Sequence, residues 1–181
     1  MITSIRQNSE KGVFVIEESI GVDYTEFIHV ACPEQEFPTH IYTKWRDPSG
    51  KREQGIHLLY GKYERFNIHL FGLPQSLIRN FTVNDLEVPY EVRGFVLIIK
   101  VRGNEPYEEL RNMPDDPLFS GLAWIRKHGL PFVIVILNKN RRALQPSQVQ
   151  NILSLNTQVS SIAILSSLDA TSIGSVLSTL A

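Results

Sequence analysis

Three runs in this chain have no polar face: Val13-Phe14-Val15-Ile16, residues 94–101 (GFVLIIKV) and residues 131–137 (PFVIVIL). Each is too short for an ordinary helix and too apolar for a strand with one wet side. Strands of that kind belong inside a sheet covered on both faces, and such sheets are built mainly from parallel strands joined by helices. The intervening segments supply the helices. One opens near Thr25 and must end before Pro33 and Pro38. Residues 118–128 (LFSGLAWIRKH) place Leu118, Leu122 and Ile125 on one stripe, with Gly129 as the stop. Pro146 and Ser147 begin a helix running to about residue 155, and Asp169 or Thr171 can cap a last helix reaching about residue 180.

The remaining strands are less uniform. Residues 55–63 (GIHLLYGKY) and 64–71 (ERFNIHLF) read as an antiparallel pair joined tightly around Gly61-Lys62, and residues 159–165 as a further strand. Residues 39–54 begin with alternation, Ile41 and Trp45 among polar neighbours, then break at the turn signal Asp47-Pro48-Ser49-Gly50. A short helix fits residues 75–81 or 84–92, and residues 102–117 are largely loop. The expected fold class is therefore α/β: a six-stranded, mostly parallel sheet with one antiparallel edge strand and helices on both faces. Residues 1–11 form a polar lead-in, and residues 12–181 form one domain, within the usual range for a single core.

Composition narrows the partners. A net charge of −1 gives no broad basic footprint for nucleic acid. The single cysteine, Cys32, rules out an internal disulfide and a cysteine metal cluster; a buried, inert thiol is its expected state. No run of apolar residues is long enough to span a membrane, and the first residues lack the apolar core of a signal peptide. The expectation is a cytoplasmic protein.

The junction after the first strand is where α/β proteins seat phosphates, because loop N–H groups and a helix N-terminus converge there. A working phosphate loop reads GxxxxGK[ST]. In the matching window, residues 18–25, the glycine positions hold Glu18 and Asp23, the lysine position holds Tyr24, and only Thr25 agrees. Glu17, Glu18, Asp23 and Glu26 crowd the stretch with no basic residue in the loop itself. Unit charges a few ångströms apart interact by about 1–4 kcal/mol in water or near a surface, so the local sign opposes a nucleotide.

The element order, together with three strings, resembles the bacterial Ras-like small GTPases of the MglA type, whose three-layer P-loop NTPase fold is then the expectation. His69-Leu70-Phe71-Gly72-Leu73-Pro74 is similar to the family's turn into switch II, residues 129–133 followed by Asn138-Lys139 to the approach to the guanine motif, and Ser166-Ser167-Leu168-Asp169 to the last guanine loop. The resemblance covers residues 12–181. It implies a vestigial nucleotide pocket of Gly21, Asp23, Tyr24, Thr25, Asn138, Lys139, Arg141 and Ser166. The departures are chemical. The family's DxxG has Gly72 and Gln75 at its ends here, and the acceptor of NKxD is replaced by Arg141, which has no acceptor atom.

What the resemblance implies is a pseudo-GTPase working as a protein-interaction or regulatory module, without bound cofactor or metal and without a catalytic residue. Its partner would be a Roadblock/LC7-type dimer or another Ras-like domain. The alternative is a divergent nucleotide-binding protein with weak hydrolysis and altered base preference. Thr25 reads either as a magnesium ligand or as a cap at the helix start, and Thr39 and Thr43 are the candidates for a switch threonine. His57 and His69 sit on neighbouring strands, but two histidines do not complete a zinc site. Lys139, Arg141 and Arg142 form a small basic cluster suited to solvent or to an acidic partner. Tyr42, Trp45, Tyr60 and Tyr63 are candidates for a partner surface or for cover of the sheet.

Overall fold

The structure is a computed structural model and describes residues 10–18, 23–33, 39–46, 49–74, 78, 86–88, 90–112, 121–138, 144–153 and 159–181. The elements are β1 (Lys11–Glu17), α1 (Asp23–Ala31), β2 (Thr39–Arg46), β3 (Glu53–Tyr63), a single 3₁₀ turn (Glu64–Phe66), β4 (Ile68–Leu73), β5 (Glu91–Val101), α2 (Pro106–Asn112), α3 (Gly121–Arg126), β6 (Phe132–Asn138), α4 (Pro146–Ile152), β7 (Val159–Leu165) and α5 (Ala170–Ser178).

One sheet runs through the molecule in the order β2-β3-β4-β1-β5-β6-β7. It has seven strands, which corrects the expected six. The added strand is β2, which has one fully exposed face and a second on which only Thr43 is buried, with Ile41 and Trp45 half-buried against the first core. A strand at an edge needs no continuous apolar run, so the polar residues of Thr39–Arg46 concealed it. The antiparallel strand is β3, paired with β2 on one side and β4 on the other. It is interior, so the expected antiparallel edge is also corrected; the edges are β2 and β7. The β4 strand begins at Ile68 because the 3₁₀ turn takes Glu64–Phe66 and Asn67 turns the chain in a left-handed conformation, φ 52°.

The apolar runs behave as their composition requires. Successive β1 side chains enter different cores: Phe14 and Ile16 meet Leu58, Phe71, Phe95 and Phe132, while Val13 and Val15 meet Phe27, Leu70, Val96 and Val133. Leu110 of α2, Leu122, Trp124 and Ile125 of α3 and Val149 of α4 close the first core. Phe27 and Ile28 of α1, with Ile173, Val176 and Leu177 of α5, close the second. The result is a layer of helices on each face of the sheet. The Leu122 and Ile125 stripe faces inward as expected, Leu118 lies outside the described residues, and Gly129 ends the turn at φ 63°. Asp169 is the cap of α5, accepting from the Ser172 N–H at 2.9 Å, and Pro146 opens α4. Among the described residues no helix is long and apolar enough to cross a membrane.

Candidate functional site

Parallel pairing brings several strand ends to one level. Ile16 lies beside Leu73 of β4, Glu17 beside Ile98 of β5, and Val101 beside Asn138 of β6. This is the carboxyl end of the sheet, where open α/β folds bind ligands. Two acidic residues leave β1 there, and both are buried: Glu17 is 2% exposed and Glu18 5%.

Glu17 turns its carboxylate to the start of α1, where Oε1 accepts the backbone N–H of Tyr24. Its Oε2 is buried without a hydrogen-bond partner among the described residues. Burial is the main reason its pKa is pushed up to about 7, with the Asp23 charge adding to the rise. The Tyr24 N–H and the more distant Lys100 and Arg102 pull the other way without cancelling it. A half-satisfied carboxyl in a dry place is easier to keep protonated than charged.

Glu18 points to the opposite face. Its oxygens accept the first N–H groups of α3, Gly121 at 3.1 Å and Leu122 at 2.9 Å, while its own N–H donates to Ile98 O at 2.9 Å. Residue 121 has to be glycine for this: a Cβ there would stand 2.5 Å from Glu18 Oε2. Both neighbouring carboxylates thus occupy helix-start N–H groups, the donors an incoming anion would need.

Tyr24 fills the next position. Its ring lies on Gly72 of β4 so closely that a Cβ on residue 72 would be 2.6 Å from the ring. An aromatic ring therefore rests on bare backbone at the end of β4. Asp23 is 3.7 Å from the Lys100 Nζ of β5. That cation was missed when the loop was read alone, although a lysine interrupting the apolar run of β5 was a visible signal.

The other expected residues disperse. Thr25 lies within the first turn of α1, not at its cap, which corrects the capping expectation. Thr43 is buried and donates its hydroxyl to Glu87 O at 2.6 Å, which ties β2 to residues 86–88. Asn138 is buried at the end of β6, and Ser166 is exposed in the turn after β7. Gly21, Gln75, Lys139, Arg141 and Arg142 lie outside the described residues.

His57 and His69 do not face each other. His57 lies opposite Tyr42 and His69 opposite Lys62, which places them on different faces of the sheet. His69 is buried, held by Tyr60 Oη at 2.6 Å and stacked on Tyr90 at 3.5 Å between ring centres. Burial holds its pKa below the usual histidine value, against an opposing pull from Glu10. Among the described residues no group of three or more side chains is placed to hold a metal ion. Cys32 is buried, and burial pushes its thiol up to about 11, in keeping with an inert packing residue.

The four aromatic candidates divide. Trp45 and Tyr60 pack against the first core, and Tyr63 packs on Phe66 and against Gly174 of α5. Tyr42 alone among the large hydrophobic residues described is open, at 59% exposure, with its ring edge-on to His57. Beside it a shallow cleft of about 360 Å³ is lined by His40, His57, Thr25, Tyr24 and Gly72. The exposed Tyr42 ring therefore adjoins a cleft that reaches the start of α1. No protein-family model matches the chain, and no curated protein matches it in sequence.

Proposed function

We propose that this protein is a pseudo-GTPase of Ras-like architecture that acts as a protein-interaction or regulatory module. The observation that carries the reading is the occupation of the junction by the chain's own acids. Glu17 holds the α1 N–H of Tyr24, and Glu18 holds the first two N–H groups of α3. A phosphate seated at α1 has to displace a buried carboxyl and then meet Asp23. Tyr24 lies on Gly72, where the resemblance would put the lysine and the aspartate of an active switch, so neither charge is available to a phosphate or its metal. No single substitution reopens such a site, so the state of the module does not depend on nucleotide exchange.

Tyr42, His40 and His57 offer the contact surface, beside the junction that in an active switch would signal. A Roadblock/LC7-type dimer or another Ras-like domain is the proposed partner. Aromatic residues with a polar end are favoured as binding anchors. Isothermal titration with GTP, GDP and ATP in magnesium buffer tests the reading. The expected result is no heat of binding; a micromolar dissociation constant for any of the three overturns it.

One observation favours the alternative of a divergent nucleotide-binding protein with weak hydrolysis: Lys100 reaches the junction from β5. That reading requires magnesium-dependent phosphate release that falls in Thr25→Ala. Absence of release removes it.

A further inference from the structure

The two edges of the sheet are finished differently. Strand β2 is guarded. Lys44 pairs with Glu53 at 2.9 Å and Arg46 with Glu87 at 3.3 Å. Residues 86–88 also strap its outer side, with Glu87 N–H donating to Lys44 O at 3.2 Å and Leu86 bridging to Trp45. Charged residues and a covering segment are the usual ways of keeping an edge from pairing with another chain.

Strand β7 has neither device among the described residues. It pairs only with β6. Every residue of β6 is buried, whereas six of the seven in β7 are half-buried and Ser160 is exposed. Its sequence, VSSIAIL, contains no charge. The neutrality extends well beyond the strand: from Ala143 to Ala181 the only charged side chain is Asp169, in a protein with 20% charged residues. Asp169 is engaged by Ser172 at the start of α5. Beside the strand, α5 presents the small Thr179, whose hydroxyl lies 3.4 Å from that of Ser161, while Thr171, Ser175 and Ser178 face Arg65 on the far side of the helix.

We propose that β7 is a self-association edge, at which a second copy of this chain pairs antiparallel about a two-fold axis and continues the sheet across the dimer. A strand edge demands a strand, because its free N–H and C=O groups are met only by another backbone. Neutrality selects the copy. A two-fold contact sets a surface against itself, so a charge near the axis meets its own like charge, while an uncharged strand can pair with itself in any register without repulsion. A charged partner would find no counter-charge here except Asp169. The contact closes at two copies, since each has one such edge. This inference is independent of the nucleotide question, because β7 lies three strands from β1.

Sedimentation equilibrium over micromolar concentrations tests it, with the full chain and two edge variants. The wild-type mass is expected to rise to twice the 20.6 kDa of one chain. Ala163→Lys, next to the centre of β7, is expected to weaken the dimer roughly tenfold or more, because it sets an ammonium group near the axis on each copy. Ser160→Lys, at an exposed position, should weaken it in the same direction and serves if circular dichroism shows that Ala163→Lys does not fold. Tyr42→Lys on the opposite side of the sheet should leave the dimer unchanged. A single-chain mass at every concentration, open-ended association, or a dimer indifferent to the β7 substitution that folds overturns the proposal.

Discussion

The β1–α1 junction and the β2–β3 surface adjoin one another but use their polar side chains in opposite ways. At the junction Glu17 and Glu18 are buried and turned inward to backbone N–H groups of α1 and α3. On the neighbouring strands Tyr42 stands in solvent with His57 against its ring, and the acids and bases form exposed ion pairs. Buried polar groups are costly to move, so the junction is committed to holding the fold together. Exposed pairs contribute little to stability, so the strand surface can be changed without unfolding the chain. On the proposed reading the difference assigns recognition to the strand surface: the buried carboxylates hold helix starts, while Tyr42 stays exposed for a partner to reach.

The largest test of that contrast is Glu18→Ala. It leaves two N–H groups at the start of α3 without their acceptor, and a buried donor left unpaired costs about 1–3 kcal/mol. A loss of about 3 kcal/mol is expected in urea denaturation, and Glu18→Gln, which keeps one acceptor oxygen, should lose about half of it. A loss under about 0.5 kcal/mol would mean that the junction is no more structural than the surface.

Next in size is Gly72→Ala. The new methyl would press into the Tyr24 ring, and overpacking of this kind costs about 1–3 kcal/mol. The penalty should largely vanish in a Tyr24→Ala background, which a double-mutant cycle measures directly. Additive effects would show that the ring does not rest on Gly72.

The pH dependence of stability separates Glu17 from the rest. Its pKa is about 7 in the folded chain against 4.5 when unfolded. Its stabilising contribution is therefore complete below about pH 4.5 and is lost as the pH rises through 7. Glu17→Gln should remove that fall, a difference of roughly 1–3 kcal/mol at pH 8. His69, whose lowered pKa makes stability fall toward acid, contributes equally to both proteins and cancels from the difference. Parallel stability curves for the two proteins would show that the Glu17 carboxyl is not held protonated.

The smallest expected effect on stability is at Tyr42. Tyr42→Ala should change it by less than about 0.5 kcal/mol, since the ring is mostly exposed. The same substitution should weaken binding to the protein partner by tenfold or more if the ring is an anchor. A large thermal shift with unchanged binding would invert the comparison.

The sequence by itself determined the layers. Residues 94–101 and 131–137 have no polar face, so they had to lie inside a covered sheet, and the Leu122 and Ile125 stripe had to face it. It also declared the sign of the junction, because Glu17, Glu18, Asp23 and Glu26 are visible in a line. Only the tertiary structure decided what those acids touch. Glu18 meets Gly121 across about a hundred residues of chain, Lys100 reaches Asp23 from a different strand, and Tyr24 settles on Gly72, none of which has a local signature. The seventh strand escaped for a related reason. Periodicity reports burial, and Thr39–Arg46 is held at an edge by backbone hydrogen bonds to β3, which any sequence that can extend is able to make.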